Sequence, residues 1–119
     1  MNRDDYLKKA IALYLQAPDT PSRAHRADWA VAITFFQRGV DLEDLAHAIR
    51  LTAMRRHCRE SDLPALEPIC SLAYFRPLLE LLRQEPHDPG YVEHVRWRFQ
   101  QAFGEMEKKR GSPAKSGGL

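Results

Sequence analysis

Cysteine is scarce in this chain of 119 residues, and long apolar runs are missing. The two cysteines, Cys58 and Cys70, have no partner at the short spacing of zinc or redox motifs, so we expect two reduced thiols and no disulfide framework. No apolar run approaches the ~20 residues of a membrane span, and the N-terminal segment lacks the order of a secretory signal. We therefore expect a cytoplasmic protein that is not bound to a membrane.

Motifs for catalysis, metal binding and cofactor binding are also missing. Glycine-rich phosphate loops are absent, and the adjacent pair His57 and Cys58 is one that zinc sites rarely use. Cys58 has neither an oxyanion turn nor a placed base beside it. The carboxylates of Glu43, Asp44 and Glu80 lie at predicted helix caps or beside arginines, where helix electrostatics explain them. These absences predict a protein that is not an enzyme and that needs no metal or cofactor.

Charge is unevenly distributed along the chain, although the net charge is only +2. The segment 50–59 contains four arginines and a histidine but no acid, and a second basic cluster lies near the C-terminus. Such clusters complement the negative end of a helix dipole, and they equally suit contacts with DNA phosphates. The candidate DNA-contacting residues are Arg50, Arg55, Arg56, Arg59, Lys108, Lys109 and Arg110.

Caps and proline-containing breaks divide the chain into five predicted helices. Asn2 is placed to cap the first helix, Thr20 before Pro21 to start the second, and Asp41 to cap the third, while Gly39 stops the second. The segment 57–69 has no helical periodicity and is predicted to be a loop or a short turn of helix.

The fourth helix, capped by Ser71, is apolar around most of its circumference, which predicts a central position in the bundle. Pro77 either kinks this helix or moves its start nearer Tyr74. Asp88 and Pro89 start the fifth helix. We predict an all-α fold, with one bundle over residues 1–110 and a flexible tail over 111–119. Its predicted core consists of Ile11, Trp29, Ile33, Phe36, Leu45, Ile49, Tyr74, Leu78, Leu82, Val95, Phe99 and Phe103.

Trp97 departs from the pattern of the fifth helix. At about 100° per residue it points away from the apolar stripe, and His94 and Gln101 share its side of the helix. Exposed tryptophans amid polar residues are typical of protein interfaces, so this surface predicts an adaptor that binds a partner protein or a second copy of the chain. The alternative is that Trp97 packs on the first helix or on the predicted loop.

The second and third predicted helices, joined at Gly39, have the spacing of a helix-turn-helix. In that motif the start of the second helix meets base edges, but here it carries Asp41, Glu43 and Asp44, which would repel DNA. We therefore expect any DNA contact to use the opposite, arginine-rich end of the third helix.

Two short motifs in the middle of the chain are similar to those of a known family. The segment 45–49, Leu-Ala-His-Ala-Ile, is one of them, and Tyr74, Leu78 and Leu82, each four residues apart, form the other. In these motifs the stretch from Trp29 to Leu82 resembles the DnaD-like domain of bacterial and phage replication-initiation proteins. The resemblance implies a module that binds DNA, single-stranded or without strong sequence preference. It also implies docking to another replication or mobile-element protein and no enzymatic activity.

Overall fold

The computed structural model describes residues 1–59 and 62–111, with side chains as far as Gly104, and contains helices and no strand within those ranges. The predicted all-α fold with five helices is confirmed. The predicted tail lies outside the described residues, except for Gly111, which ends the last helix. The elements are α1 (Arg3–Gln16), α2 (Arg26–Gln37), α3 (Leu42–His57), a 3₁₀ turn (Leu72–Phe75), α4 (Arg76–Gln84) and α5 (Pro89–Gly111). No helix in the described part of the chain is long and apolar enough to cross a membrane.

The joint between α2 and α3 is built as the sequence predicts. Gly39 adopts a φ of 73°, and the N–H groups of Gly39 and Val40 donate to the carbonyls of Phe36 and Phe35 at 3.1 and 3.0 Å. This pattern closes the end of α2 in a Schellman motif, which needs a left-handed residue and therefore favours glycine. The Tyr6 hydroxyl of α1 donates to the Val40 carbonyl at 2.6 Å, so the joint is fixed to the first helix.

The start of α2 differs from the prediction. Thr20 does not cap this helix, because its hydroxyl donates back to the Ala17 carbonyl at 2.6 Å and completes the turn after α1. The helix begins instead at Arg26, where the Asp28 carboxylate accepts the N–H of His25 at 2.8 Å. The other oxygen of Asp28 accepts the N–H of Leu72 at 2.9 Å, and the side chain is only 1% exposed. One buried carboxylate thus starts α2 and holds the 3₁₀ turn.

The central helix is α3, and the prediction of a central fourth helix is wrong. All five residues from Leu45 to Ile49 are buried, and α3 packs against α1, α4, α5 and the 3₁₀ turn. Its alanines permit close approach on several sides. The α4 helix buries one face only, through Leu79 and Leu82, and leaves Leu81 exposed. Pro77 lies in the first turn of α4 after the 3₁₀ turn, where it interrupts no helix interior.

The apolar interior has two parts that meet at α3. The larger one joins α1 to α4, and the smaller one seats α5 on α3 through Ala53, Phe99 and Phe103. Most of the predicted core residues are buried, as expected. Ile33, Phe36 and Leu78 are partly buried and pack against the larger part of the interior. Trp29 and Tyr74 are 38% and 49% exposed, so their assignment to the core is wrong.

The position of Trp29 follows from the rotation of α2. Asp28, Ala32 and Phe35 share the inward face of this helix. Asp28 faces inward, where its carboxylate accepts the N–H of Leu72. Trp29, the next residue along the helix, therefore lies at the edge of the bundle.

Candidate nucleic-acid interface

The C-terminal half of α3 presents its arginines in different directions. Arg55 is exposed, and it lines two surface cavities at once. One cavity lies between α3 and α4 and also includes Arg59. The other lies between α3 and α5 and includes His94 and Arg98. We call Arg55, Arg59, His94 and Arg98 the basic surface.

The packing of α5 against α3 creates this arrangement. Phe99 and Phe103 pack against Ala53 of α3, which sets the face of α5 that carries His94 and Arg98 beside Arg55. None of the described residues that line the two cavities is acidic. The negative end of the α3 dipole is equivalent to roughly half a charge, so the full charges of three arginines outweigh it. The residues that line the two cavities therefore carry a net positive charge.

Arg56 is engaged inside the protein. Its guanidinium donates to the Glu67 carbonyl at 2.8 Å, lies 3.4 Å from both the Asp19 carboxylate and the Tyr74 hydroxyl, and is 10% exposed at the side chain. It also lies 6.0 Å from the centre of the Tyr74 ring. Arg56 therefore fastens the segment before the 3₁₀ turn to α3, and its charge is directed toward the protein.

Arg50, the other predicted DNA contact whose side chain the structure describes, does not join the basic surface. Arg50 is half-buried and lines clefts shared by α1 and α5, together with Gln16. The side chains of Lys108, Lys109 and Arg110 lie outside the described residues. Among the predicted contacts whose side chains are described, Arg55 and Arg59 belong to the basic surface.

The start of α3 remains acidic and exposed. Asp41 accepts the N–H of Glu43 at 3.0 Å and caps the helix. Burial raises the pKa of Asp44, and the neighbouring charges of Asp41 and Glu43 raise it further. This end of the helix opposes phosphate binding, in agreement with the sequence argument against a helix-turn-helix reading of the major groove.

The Trp97 surface lies on the side of α5 that faces solvent. Trp97 is 60% exposed, and the His94 ring stacks on it with centroids 6.4 Å apart and an interplanar angle of 26°. Gln101 is exposed one turn further along the helix. The predicted order of the two tryptophans is confirmed, since Trp29 is 38% exposed. The alternative that Trp97 packs on the rest of the bundle does not hold for a side chain this exposed.

A buried histidine joins α3 to the segment before α5. His47 is 3% exposed, and its Nε2 lies 2.8 Å from Nδ1 of His87, so at least one of the two rings must be neutral. The ring of Tyr91 packs edge-on against both histidines. Burial lowers the pKa of His47 below its ordinary value of 6.5, and the charges of His87 and Arg50 lower it further. No group of three or more potential metal ligands occurs among the described residues.

Sequence analysis missed Arg98 and the two exposed tyrosines near the basic surface. Tyr74 and Tyr91 are 49% and 44% exposed. The spacing of Arg98 four residues after His94 was a usable signal, because these positions share one helix face. The sequence does not show which helix this face of α5 lies beside, because that depends on tertiary packing.

Comparison with protein families, with characterised proteins and with solved structures finds no match to this chain. The resemblance to a DnaD-like domain therefore stays a prediction that rests on the two short motifs.

Proposed function

We propose that this chain is a non-enzymatic DNA-binding accessory module that acts in the cytoplasm in replication or in the processing of plasmid, phage or transposon DNA. The observation that carries the proposal is the position of Arg55 between two acid-free cavities, with Arg59 on one side and Arg98 on the other. Guanidinium groups suit phosphates because they offer several donors in a fixed plane. The motif resemblance to DnaD-like domains supports the same function and adds a replication or mobile-element protein as partner.

The surroundings of the arginines favour DNA without strong sequence preference. Tyr74 and Tyr91 line the two cavities that meet at Arg55, and both rings are partly open to solvent. Aromatic rings beside a positively charged surface are the usual means of binding unpaired bases, which stack on them whatever their sequence. We therefore expect single strands to bind at least as well as duplexes.

A polarisation titration with labelled single-stranded and duplex oligonucleotides tests the proposal. Replacing Arg55 and Arg98 together by glutamate should abolish binding to both. Arg3→Glu is the control. Arg3 is exposed at the start of α1, and Tyr6 fixes this end of α1 to the joint that precedes α3, so Arg3 lies away from the arginine-rich end of α3. Equal affinities of the double variant and the parent would reject this surface.

The second candidate function is a helical protein–protein adaptor that uses Trp97, His94 and Gln101. The exposure of Trp97 and its stacking on His94 favour it, since a large aromatic ring on a helix is a typical interface anchor. Iodide quenching of two single-tryptophan variants tests the accessible surface. Trp97 should be quenched more strongly than Trp29, and equal protection of the two indoles would remove the basis for this candidate.

A further inference from the structure

An apolar groove lies between α3 and α4, next to the arginines at the end of α3. Its floor and far side are formed by Leu66, Tyr74, Pro77, Leu78 and Leu81, and we call these five residues the apolar groove. Its volume is about 420 Å³. Leu81 is 61% exposed, Tyr74 49% and Leu66 44%. The groove therefore leaves several large apolar side chains open to solvent at one place.

The packing of α4 explains why these side chains are outside. Leu79 and Leu82 point into the main core, so Leu81 lies toward the other side of the helix, while Leu78 is partly buried at the edge of that core. A scattered exposed leucine is ordinary on a protein surface, but apolar residues gathered in a concave site are typical of a binding groove.

The charge around the groove determines what kind of partner it fits. Arg55, Arg56 and Arg59 lie along its α3 side, and no acid occurs among the described residues that line it. Glu80, next to Leu81 in sequence, lies on the opposite side of α4, where its carboxylate accepts from Arg38 at 3.1 Å. Arg56 is paired with Asp19 within the protein, so Arg55 and Arg59 are the cations that face a ligand here. Apolar contacts on one side and these two arginines on the other match a helix with an apolar stripe and a row of carboxylates.

We propose that the apolar groove binds an acidic amphipathic helix of a partner protein. The apolar side chains of that helix enter between Tyr74 and Leu81, and its carboxylates meet Arg55 and Arg59. The segment 112–119 of this chain does not have the chemistry of this occupant, because its sequence carries a lysine and no acidic side chain. The proposal rests on the leucines of α4, which take no part in the proposed DNA binding, although DNA and the acidic helix would compete for Arg55, Arg59 and Tyr74.

The test uses the full chain and a synthetic probe. The probe is a fluorescein-labelled peptide of about 18 residues, with leucines at alternating three- and four-residue spacing and glutamates between them. One control peptide has the same composition in scrambled order, and a second has lysine in place of glutamate. Polarisation titrations are run with the parent, Leu81→Ser, Trp97→Ser and the double variant Arg55→Ala/Arg59→Ala. Trp97→Ser is the matched control, because Trp97 and Leu81 are almost equally exposed, at 60% and 61%.

The parent should bind the acidic amphipathic peptide more tightly than either control peptide. Leu81→Ser should weaken this binding about tenfold, as expected for one leucine contact removed from an interface, while Trp97→Ser leaves it unchanged. The arginine double variant should reduce both the affinity and its salt dependence. Leu81→Ser should also leave DNA affinity unchanged, which separates this proposal from the proposed function.

Three results would overturn the proposal: no saturable binding of the acidic peptide, equal binding of the lysine peptide, or the same loss from Leu81→Ser and Trp97→Ser. If Leu81→Ser instead makes the chain monomeric where the parent associates, the groove is an interface between copies, and the acidic-partner proposal also fails. Circular dichroism of each variant confirms that it is folded, and the exposure of Leu81 makes a folding defect unexpected.

Discussion

Replacing Asp28 tests the packing that positions both α2 and the 3₁₀ turn. Its carboxylate accepts the N–H of His25 at 2.8 Å and the N–H of Leu72 at 2.9 Å, 44 residues away in sequence. In Asp28→Ala the buried N–H of Leu72 loses its acceptor, which costs about 1–3 kcal/mol. Loss of the helix cap adds about 1 kcal/mol. We expect a total loss of roughly 2–4 kcal/mol, a large share of the ~5–15 kcal/mol that stabilises a domain.

Asp28→Asn provides a graded comparison at the same position. An amide retains one oxygen for the N–H of Leu72 but presents its own NH₂ group to the N–H of His25. It should therefore cost less than the alanine substitution, about 1–2 kcal/mol. Asp4→Ala, in the exposed first turn of α1, is the control and should change stability by at most about 0.5 kcal/mol.

Urea unfolding followed by circular dichroism measures the three variants beside the parent. For Asp28→Ala the midpoint should fall by roughly 1–2 M urea, with an unchanged slope of the free energy against urea. A midpoint as high as that of the parent would refute the reasoning, because it would mean that the N–H of Leu72 is satisfied elsewhere or is not buried.

The remaining predictions concern a turn, a buried histidine and an internal arginine. Gly39→Ala should cost about 1 kcal/mol in urea unfolding, because Gly39 has a φ of 73° while the space for a methyl group is open. The lowered pKa of His47 means that the unfolded chain binds its proton more readily, so stability should be full above pH 6.5 and decrease as pH falls below it. His47→Gln should reduce this loss of stability at low pH, whereas a pH profile identical to that of the parent would contradict the prediction. Arg56→Ala should lower stability by about 0.5–1.5 kcal/mol, because it removes the hydrogen bond to the Glu67 carbonyl at an exposed position, where water can replace the donor. The same variant should leave the salt dependence of DNA binding unchanged, and a reduced salt slope would mean that Arg56 contacts phosphates.

The parts of the fold that local sequence determines were predictable. Asn2, Asp41, Ser71 and Asp88 each accept a backbone N–H two or three residues ahead, as expected of capping residues. Gly39 ends α2 for the same local reason. These contacts need only the neighbouring backbone, so a sequence pattern is sufficient to find them.

Apart from the start of α2, where Thr20 bonds to the nearby Ala17 carbonyl, the errors arose where distant segments meet. Trp29 lies outside the core because Asp28 turns inward to reach Leu72, a partner that no local pattern reveals. Arg56 donates a hydrogen bond to the Glu67 carbonyl of the neighbouring loop, whereas Arg55, one residue before it, remains exposed. A basic cluster in a sequence therefore predicts positive charge, but the path of the neighbouring loop decides which arginines are available to a ligand.

The candidate site was predictable in part for the same reason. Arg55 and Arg59 follow from the cluster at the end of α3, but Arg98 joins them only because Phe99 and Phe103 seat α5 against that helix. The apolar groove depends on which leucines of α4 face inward, and the sequence shows leucines on nearly every side of that helix.

The salt dependence of DNA affinity tests the central claim most directly. If Arg55, Arg59 and Arg98 each contact a phosphate, the slope of log affinity against log salt should be about −2.7 on duplex DNA and about −2.1 on single strands, and steeper if further cations contribute. Arg55→Ala and Arg98→Ala should each reduce the duplex slope by about 0.9, while Arg3→Ala leaves it unchanged. Binding that shows no salt dependence, or slopes that stay the same in the Arg55 and Arg98 variants, would contradict the account.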